Sequence, residues 1–323
     1  MLDDMDQWNE LTSAYAATIR NSQAVVESYL TYLEEYTDFR PVPKCVRVQL
    51  VEDWSLNAYA EKTDDGYIIG INAGIIPQLL GPVRAGLLLG CISEVRDRSE
   101  LERWLMNVAI DFLIFHELGH IALAHLDYFE QARRSELSSG DEIGEDMYDQ
   151  IALELMADEF AIAAVANRRL SDLYDDRSDS PEFLDRPVYD HVYDHALLFA
   201  LGVLFLVMTP RETFTTFAET THPHPEFRLG IVFGLLYEGR STPGPDVSRK
   251  VQADLARVPA VLGIPPESHV GIYWHSDPNK LVDRNAFERL KLMFEQYTVA
   301  MKRMRPKLNI CRENLVHRDC HEP

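Results

Sequence analysis

The sequence predicts an α+β fold that is mostly α-helical, with one small β-sheet near the N-terminus. Apolar residues recur at helical spacing over most of the chain. Two short extended segments flank an Asp-Gly turn at residues 64–66, which is typical of a β-hairpin. With 323 residues, 46% of them apolar, the chain is long enough to bury a substantial core. We therefore expect helices that pack around a small sheet.

The predicted elements follow one another in a simple order. The sheet is predicted from a strand over 46–51 and the hairpin over 56–72. Helices are predicted over 8–37, 73–80 (stopped by Gly81-Pro82), 101–129, 143–170, 188–208, 228–237 and 281–303. An acidic loop at 171–187 and a Pro-rich linker at 241–245 interrupt them. We expect one domain over 1–240 and a mainly helical C-terminal appendix over 241–323, which either packs on that domain or stands apart.

Composition excludes some classes of partner. The formal net charge is −21, which argues against nucleic acid and anionic membranes as partners, because both attract clustered Lys and Arg. The longest apolar run, Ala196–Met208, is too short to cross a bilayer, so no membrane insertion is expected. The N-terminus lacks the pattern of a signal peptide, and the four cysteines are widely spaced. We therefore expect a cytoplasmic protein with reduced thiols.

The predicted helix over 101–129 carries a His-Glu-x-x-His pattern that begins at His116. Four residues advance a helix by slightly more than one turn, so His116 and His120 share a face and can bind one metal ion. Glu117 is placed to take a proton from a water molecule on that metal. The pattern predicts a zinc peptidase with Glu117 as its catalytic residue. A chance occurrence of the same residues in a helix is the alternative.

A catalytic zinc ion uses three protein ligands, so the two histidines need a third partner. Glu154, on the predicted helix over 143–170, is the best candidate. Asp158 lies one turn further along and is placed to accept a hydrogen bond from the outer nitrogen of a ligand histidine. Both carboxylates stand among apolar residues, where unpaired charge is costly, although solvated surface charges are the alternative. Asp111 and Glu159 are weaker rivals for the third position.

Together these motifs resemble the gluzincin metallopeptidases, and more narrowly the family of CAAX prenyl endopeptidases and HtpX heat-shock peptidases. The segment Asn57-Ala58-Tyr59-Ala60 is similar to the Asn-Ala-Phe-Ala element of that family. His222-Pro223, followed by Arg228, is similar to its His-Pro…Arg element. His125 stands where family members often carry a polar residue. The family's membrane helices are absent, and a weaker likeness to Lit-type phage-exclusion peptidases rests on the metal-site core.

The resemblance implies a zincin-like (gluzincin) fold in which an edge strand of the small sheet lies beside the motif helix. It implies that Asn57, Ala58 and Tyr59 bind the substrate backbone. It also implies that His222 stabilises the developing oxyanion as a catalytic residue and that Arg228 supports that region. The region 1–240 would then be a metallopeptidase domain without membrane helices.

The function predicted from these residues is a zinc-dependent endopeptidase that acts on a protein or peptide substrate. The alternative is a gated or inactive gluzincin that serves as a sensor or regulatory module with a protein partner, for example in phage defence. A structural all-α protein without metal is a third possibility. Glu117 favours the enzyme, because a purely structural zinc site needs no base beside its ligand.

Overall fold

The computed structural model describes residues 2–39, 41–93, 97–129, 147–174, 189–208 and 284–313, together with Arg228, Val232, Ala253, Asp254 and Arg257. His222, most of the predicted acidic loop and all but two residues of the predicted helix over 228–237 lie outside the described residues.

Six long helices and three strands make up the described part of the chain. The helices are α1 (Leu2–Tyr36), α2 (Ile75–Leu88), α3 (Arg98–Ala122), α4 (Met147–Tyr174), α5 (Tyr189–Met208) and α6 (Arg284–Glu313). The strands are β1 (Val46–Val51), β2 (Ala58–Thr63) and β3 (Gly66–Asn72). The predicted α+β class, mostly helical with a small sheet, is confirmed.

The three strands form one mixed sheet in the order β1-β3-β2. β2 and β3 pair antiparallel, which confirms the predicted hairpin, and β1 runs parallel to β3. Gly66 ends the hairpin turn with a φ of +148°, and a Cβ there would lie 2.4 Å from the carbonyl oxygen of Cys45. Only glycine fits this conformation and this close approach.

One edge of the sheet, strand β1, is covered by a helix. Helix α1 packs against β1, and the side-chain amide of Gln23 bonds to the backbone of that strand. Its Nε2 donates to the carbonyl of Val46 (2.9 Å), and its Oε1 accepts the N–H of Val48 (2.8 Å). Gln23 therefore occupies backbone groups of β1 that a further strand would use. The other edge strand is β2.

Proline does not end α2 where the sequence predicts a stop. The helix continues through the buried Pro82 to Leu88. An interior proline costs roughly 3 kcal/mol, because it removes one intrahelical hydrogen bond and crowds the preceding turn. The helix also buries a set of large apolar side chains, each worth about 1.5–3 kcal/mol: Ile75, Ile76, Leu79, Leu80, Val83 and Leu87. Their burial outweighs the defect.

The motif helix α3 ends at Ala122 rather than near Tyr128, so that part of the prediction is wrong. Ala124 adopts a left-handed conformation with a φ of +61°, and the chain then forms a separate helical stretch over 125–129, here called the post-motif segment. The N–H of Leu123 still bonds to Gly119, whereas that of Ala124 bonds to Ile121. This tightened last turn redirects the chain.

The chain divides into two compact units. The first unit contains residues 1–73, 113–161 and 290–323, and the second contains 74–112 and 162–289. This division differs from the predicted one at residue 240, which stays a prediction. In the first unit, α6 packs on α4 through buried apolar side chains: Leu153, Met156, Met304 and Leu308. In the second unit, α2 packs against α5, and Phe112 meets the ring of Phe205 edge-on at 5.3 Å.

Among the described helices, α3 is long and apolar enough to cross a membrane, but 89% of its most apolar window is buried inside the protein. Burial of this kind is typical of a core helix in a soluble protein.

The expectation of reduced cysteines is wrong for Cys45, which is disulfide-bonded, whereas Cys91 is a free buried thiol. Disulfides are rare in the cytoplasm, so the cytoplasmic location stays a prediction that Cys45 does not support.

Candidate metal centre

Two histidines on α3 bring ring nitrogens together in the first unit. His116 and His120 lie one helical turn apart, and their Nε2 atoms are 3.2 Å apart. The His116 side chain is 7% exposed and that of His120 12%. The Nδ1 atom on the opposite side of each ring lies within hydrogen-bonding distance of another residue. The two Nε2 atoms are therefore arranged to share one positive ion.

Glu154 on α4 completes a group of three potential ligands. Its Oε2 lies 3.4 Å from Nε2 of His116, and its Oε1 lies 3.5 Å from Nε2 of His120. In a tetrahedral site with ligand bonds of about 2.0–2.1 Å, neighbouring ligand atoms are about 3.3–3.4 Å apart. The separations of 3.2, 3.4 and 3.5 Å are close to that value, with one carboxylate oxygen of Glu154 facing each histidine nitrogen, and two nitrogens with one carboxylate suit zinc. These residues therefore fit a metal ion of this kind.

A glycine inside the motif lets α4 approach closely enough to supply this ligand. A Cβ at Gly119 would lie 3.1 Å from Cα and 3.3 Å from the carbonyl oxygen of Ala157. Both contacts are with backbone atoms, which cannot rotate away as a side chain can. Gly119 thus fixes the spacing between the two helices at the level of Glu154 and Asp158, which flank Ala157 on α4.

Asp158 holds the outer side of the first histidine. Its Oδ1 lies 2.8 Å from Nδ1 of His116, and its side chain is fully buried. In a metal-ligating His116, Nδ1–H donates to this carboxylate, which fixes the tautomer and directs Nε2 towards Glu154. Without metal, burial lowers the pKa of His116, but the hydrogen bonds and charges of Asp158 and Glu154 outweigh burial and raise this pKa to about 10.

Uptake of a metal ion at this group is therefore expected to displace a proton. The folded-state pKa of His116, about 10, exceeds its ordinary value of 6.5. Protonation of His116 thus stabilises the metal-free protein fully below about pH 6.5, and this contribution is lost as the pH rises through about 10. Between these values the binding of a divalent metal ion such as Zn²⁺ should release about one proton from His116. Titration calorimetry at pH 8, in buffers of different ionisation enthalpy, measures that number; release of no proton would contradict this protonation state.

His125 is a neighbour of the potential metal ligands. The sequence analysis identified it only as a polar residue after the motif. Its Nδ1 lies 2.9 Å from Nδ1 of His120, on the side of that ring that faces away from Glu154. His125 is fully buried, and burial followed by the charge of His120 lowers its pKa well below the usual range. The only signal in the sequence was a third histidine five residues after the motif.

Glu117 is in the expected place on α3, next to His116, and is 8% exposed. The rival ligands have other partners: Asp111 pairs with Arg168 at 3.0 Å, and Glu159 pairs with Arg305 at 3.6 Å. Among the described residues, the group with ligand atoms close enough to share a metal ion is His116, His120 and Glu154, within 4.8 Å of one another.

The other predicted site residues lie on other segments of the chain: Asn57, Ala58 and Tyr59 precede the motif helix, and Arg228 follows α4 and α5. Asn57 is exposed, and its carbonyl accepts the N–H of Asn72 just before β2. Ala58 and Tyr59 begin β2, and the Tyr59 ring lies over Gly70, where a Cβ would be 2.3 Å from it. Arg228 belongs to the second unit.

The Arg228 side chain is buried, with its guanidinium carbon 4.4 Å from the centre of the Phe205 ring. This is a cation–π contact within the second unit. The predicted role of Arg228 beside the oxyanion stays a prediction, as does that of His222, which lies outside the described residues.

Comparison with known proteins gives one result that bears on this centre. Neither the curated proteins nor the solved structures contain a significant match to the chain. Residues 95–240, a little under half of the chain, match the family model described as Peptidase U49, a Lit-type peptidase family. The matched region contains all three potential metal ligands and Glu117. The chain is therefore similar to Peptidase U49 over the region that holds the candidate metal centre, and this similarity supports a proteolytic function.

Proposed function

We propose that the protein is a zinc-dependent endopeptidase that hydrolyses peptide bonds of a protein or peptide substrate. The observation that carries the proposal is the group of His116, His120 and Glu154, in which each histidine Nε2 lies 3.4–3.5 Å from a carboxylate oxygen of Glu154 and the two Nε2 atoms are 3.2 Å apart. Glu117 directly follows His116, the first proposed ligand, and can serve as the base that a hydrolase needs. The match to a peptidase family over this region adds independent support.

The ion and the protein have separate tasks in this proposal. When bound, zinc supplies Lewis acidity, which lowers the pKa of water to about 7 and polarises a carbonyl group. Glu117 accepts the proton of the attacking water and passes it to the leaving amine. Asp158 holds His116 in the tautomer that leaves Nε2 unprotonated. The low exposure of Glu117 and His116 keeps bulk water away from this proton transfer.

The substrate is proposed to bind as an extended strand along β2. Support comes from the sheet, because Gln23 occupies backbone groups of β1, whereas β2 is the other edge strand. The Tyr59 ring packs over Gly70, so residues 58 and 59 would contact a peptide chiefly through their backbone. The exposed side chain of Asn57 would lie near the start of this pairing.

The remaining roles are proposed from the resemblance to gluzincins. His222 would donate a hydrogen bond to the developing oxyanion, and Arg228 would support that region. The net charge of −21 supports a partner that is neither nucleic acid nor anionic membrane. A regulatory protein partner remains part of the proposal, since a gated gluzincin would need one.

Digestion of unfolded proteins tests this function. Purified protein loaded with zinc should cleave casein or a cell extract at internal sites, whereas a chelator should abolish cleavage and added zinc should restore it. Cleavage that is unaffected by chelation would contradict the zinc mechanism. A protein that binds zinc stoichiometrically but cleaves nothing would favour the gated or regulatory alternative.

A further inference from the structure

The outer nitrogen of His120 requires a partner that the proposed mechanism does not provide. In the metal centre, Nε2 of His120 faces Nε2 of His116 and Oε1 of Glu154. A neutral histidine that ligates a metal through Nε2 carries its hydrogen on Nδ1, and that hydrogen needs an acceptor. The acceptor for His116 is the carboxylate of Asp158. For His120, Nδ1 of His125 lies at hydrogen-bonding distance, 2.9 Å.

Two ring nitrogens at this distance share a single hydrogen. If His120 donates from Nδ1, His125 must accept at Nδ1 and therefore carry its own hydrogen on Nε2. A doubly protonated His125 would set two N–H groups against each other. The environment agrees with a neutral ring, since His125 is fully buried and its Nε2 has no hydrogen-bond partner among the described residues.

The backbone around His125 explains how its ring reaches His120. Helix α3 ends at Ala122, and the left-handed Ala124 turns the chain so that the post-motif segment (125–129) can fold back. The N–H of Tyr128 then bonds to the carbonyl of Ala124 at 3.0 Å, which closes the first turn of the new segment. Continuation of α3 would have carried His125 along the helix axis instead.

A partly buried ion pair anchors the same segment to the hairpin. Asp127 is 9% exposed, and it accepts hydrogen bonds from Lys62 of β2 and from the hydroxyl of Tyr67 of β3, the latter at 3.1 Å. Lys62 and Tyr67 are opposite each other in the sheet register. The carboxylate therefore joins both strands of the hairpin to a segment that begins at His125.

We propose that His125 is a positioning residue of the metal centre, which accepts the Nδ1–H of His120 as a neutral imidazole and thereby directs Nε2 of His120 to the metal. This inference rests on the zinc site of the proposed function, but it does not require cleavage. Through Asp127, the ring of His125 is held by the hairpin whose strand β2 is the proposed substrate edge. The two metal ligands on α3 thus have different partners, one anionic and one neutral.

Two substitutions of His125 test the hydrogen bond. His125→Phe keeps a planar ring but removes the acceptor, and His125→Asn keeps an acceptor in a smaller side chain. Loss of such a partner typically weakens metal binding about 10–100-fold. We expect that loss in His125→Phe, with a changed visible spectrum of the cobalt-substituted protein, and recovery of most of the affinity in His125→Asn. The measurement is zinc affinity by competition with a chromophoric chelator, without substrate.

Equal zinc affinity and equal cobalt spectra for wild type and His125→Phe would overturn the inference. If His125→Phe does not fold, ¹⁵N NMR of the zinc-loaded wild type provides the test, because it shows which ring nitrogen of each histidine carries hydrogen. Hydrogen on Nε2 and none on Nδ1 of His125 supports the inference, and the opposite tautomer overturns it. A wild type that binds no zinc would instead refute the proposed function, and a wild type that binds zinc without cleaving leaves this inference intact.

Discussion

Replacement of Glu117 by Gln is expected to leave zinc bound and to reduce peptide hydrolysis by about 10²–10⁴-fold. Glu117 is a neighbour of His116 on α3 and is mostly buried. The amide has nearly the shape of the carboxylate, so packing is kept. It cannot accept and return a proton at neutral pH, so turnover should fall while KM changes little.

Turnover of Glu117→Gln should be compared with that of Glu100→Gln, which changes a carboxylate in the first turn of the same helix. The control is expected to keep wild-type turnover and wild-type zinc content. Because the Glu117 variant would still bind substrate, it should also retain an intact protein substrate long enough for its isolation. Undiminished cleavage by Glu117→Gln would remove Glu117 from the mechanism.

Replacement of Glu154 by Ala is expected to weaken zinc binding by more than about 100-fold. Loss of a residue that only supports a ligand already weakens metal binding about 10–100-fold, and Glu154 is proposed to contact the ion itself. Its oxygens are 3.4 and 3.5 Å from the two histidine nitrogens, and Glu154 is the one carboxylate in the group of potential ligands found among the described residues. Activity should be lost with the metal.

Glu159→Ala is the matched control, because Glu159 lies on the same helix but pairs with Arg305 at a partly exposed position. Such a pair contributes about 0–1 kcal/mol, so the control should fold and bind zinc normally. Added zinc should raise the melting temperature of wild type and of this control but not of Glu154→Ala. A Glu154 variant that retains stoichiometric zinc would require a different third ligand.

The group of three potential metal ligands could be predicted, because the signals that point to it are the local spacing of residues and the number of ligands that a metal needs. One helical turn between His116 and His120 can be read directly from the sequence. The need for a third ligand pointed to Glu154, since it stands among apolar residues where an unpaired charge is costly. The hairpin was predictable from a local signal as well. Its Asp-Gly turn needs a positive φ, which Gly66 adopts.

Features that depend on tertiary contacts could not be predicted. Apolar spacing continues past Ala122, so nothing local marked the end of α3 or the return of His125 towards His120. Pro82 has a strong local tendency to stop a helix, but the burial of its neighbours is decided by distant segments. The bond between Gln23 and β1 joins residues more than 20 positions apart and leaves no periodic signal.

X-ray absorption at the zinc edge of the purified wild-type protein tests the metal centre most directly. The proposed site predicts one zinc ion per chain, with two imidazole nitrogens and a carboxylate oxygen at about 2.0–2.2 Å and no sulfur ligand. Histidine scattering should fall by about half in His120→Ala if that variant retains metal. A spectrum with sulfur at about 2.3 Å, or a protein purified and reconstituted without stoichiometric zinc, would contradict a centre built from His116, His120 and Glu154.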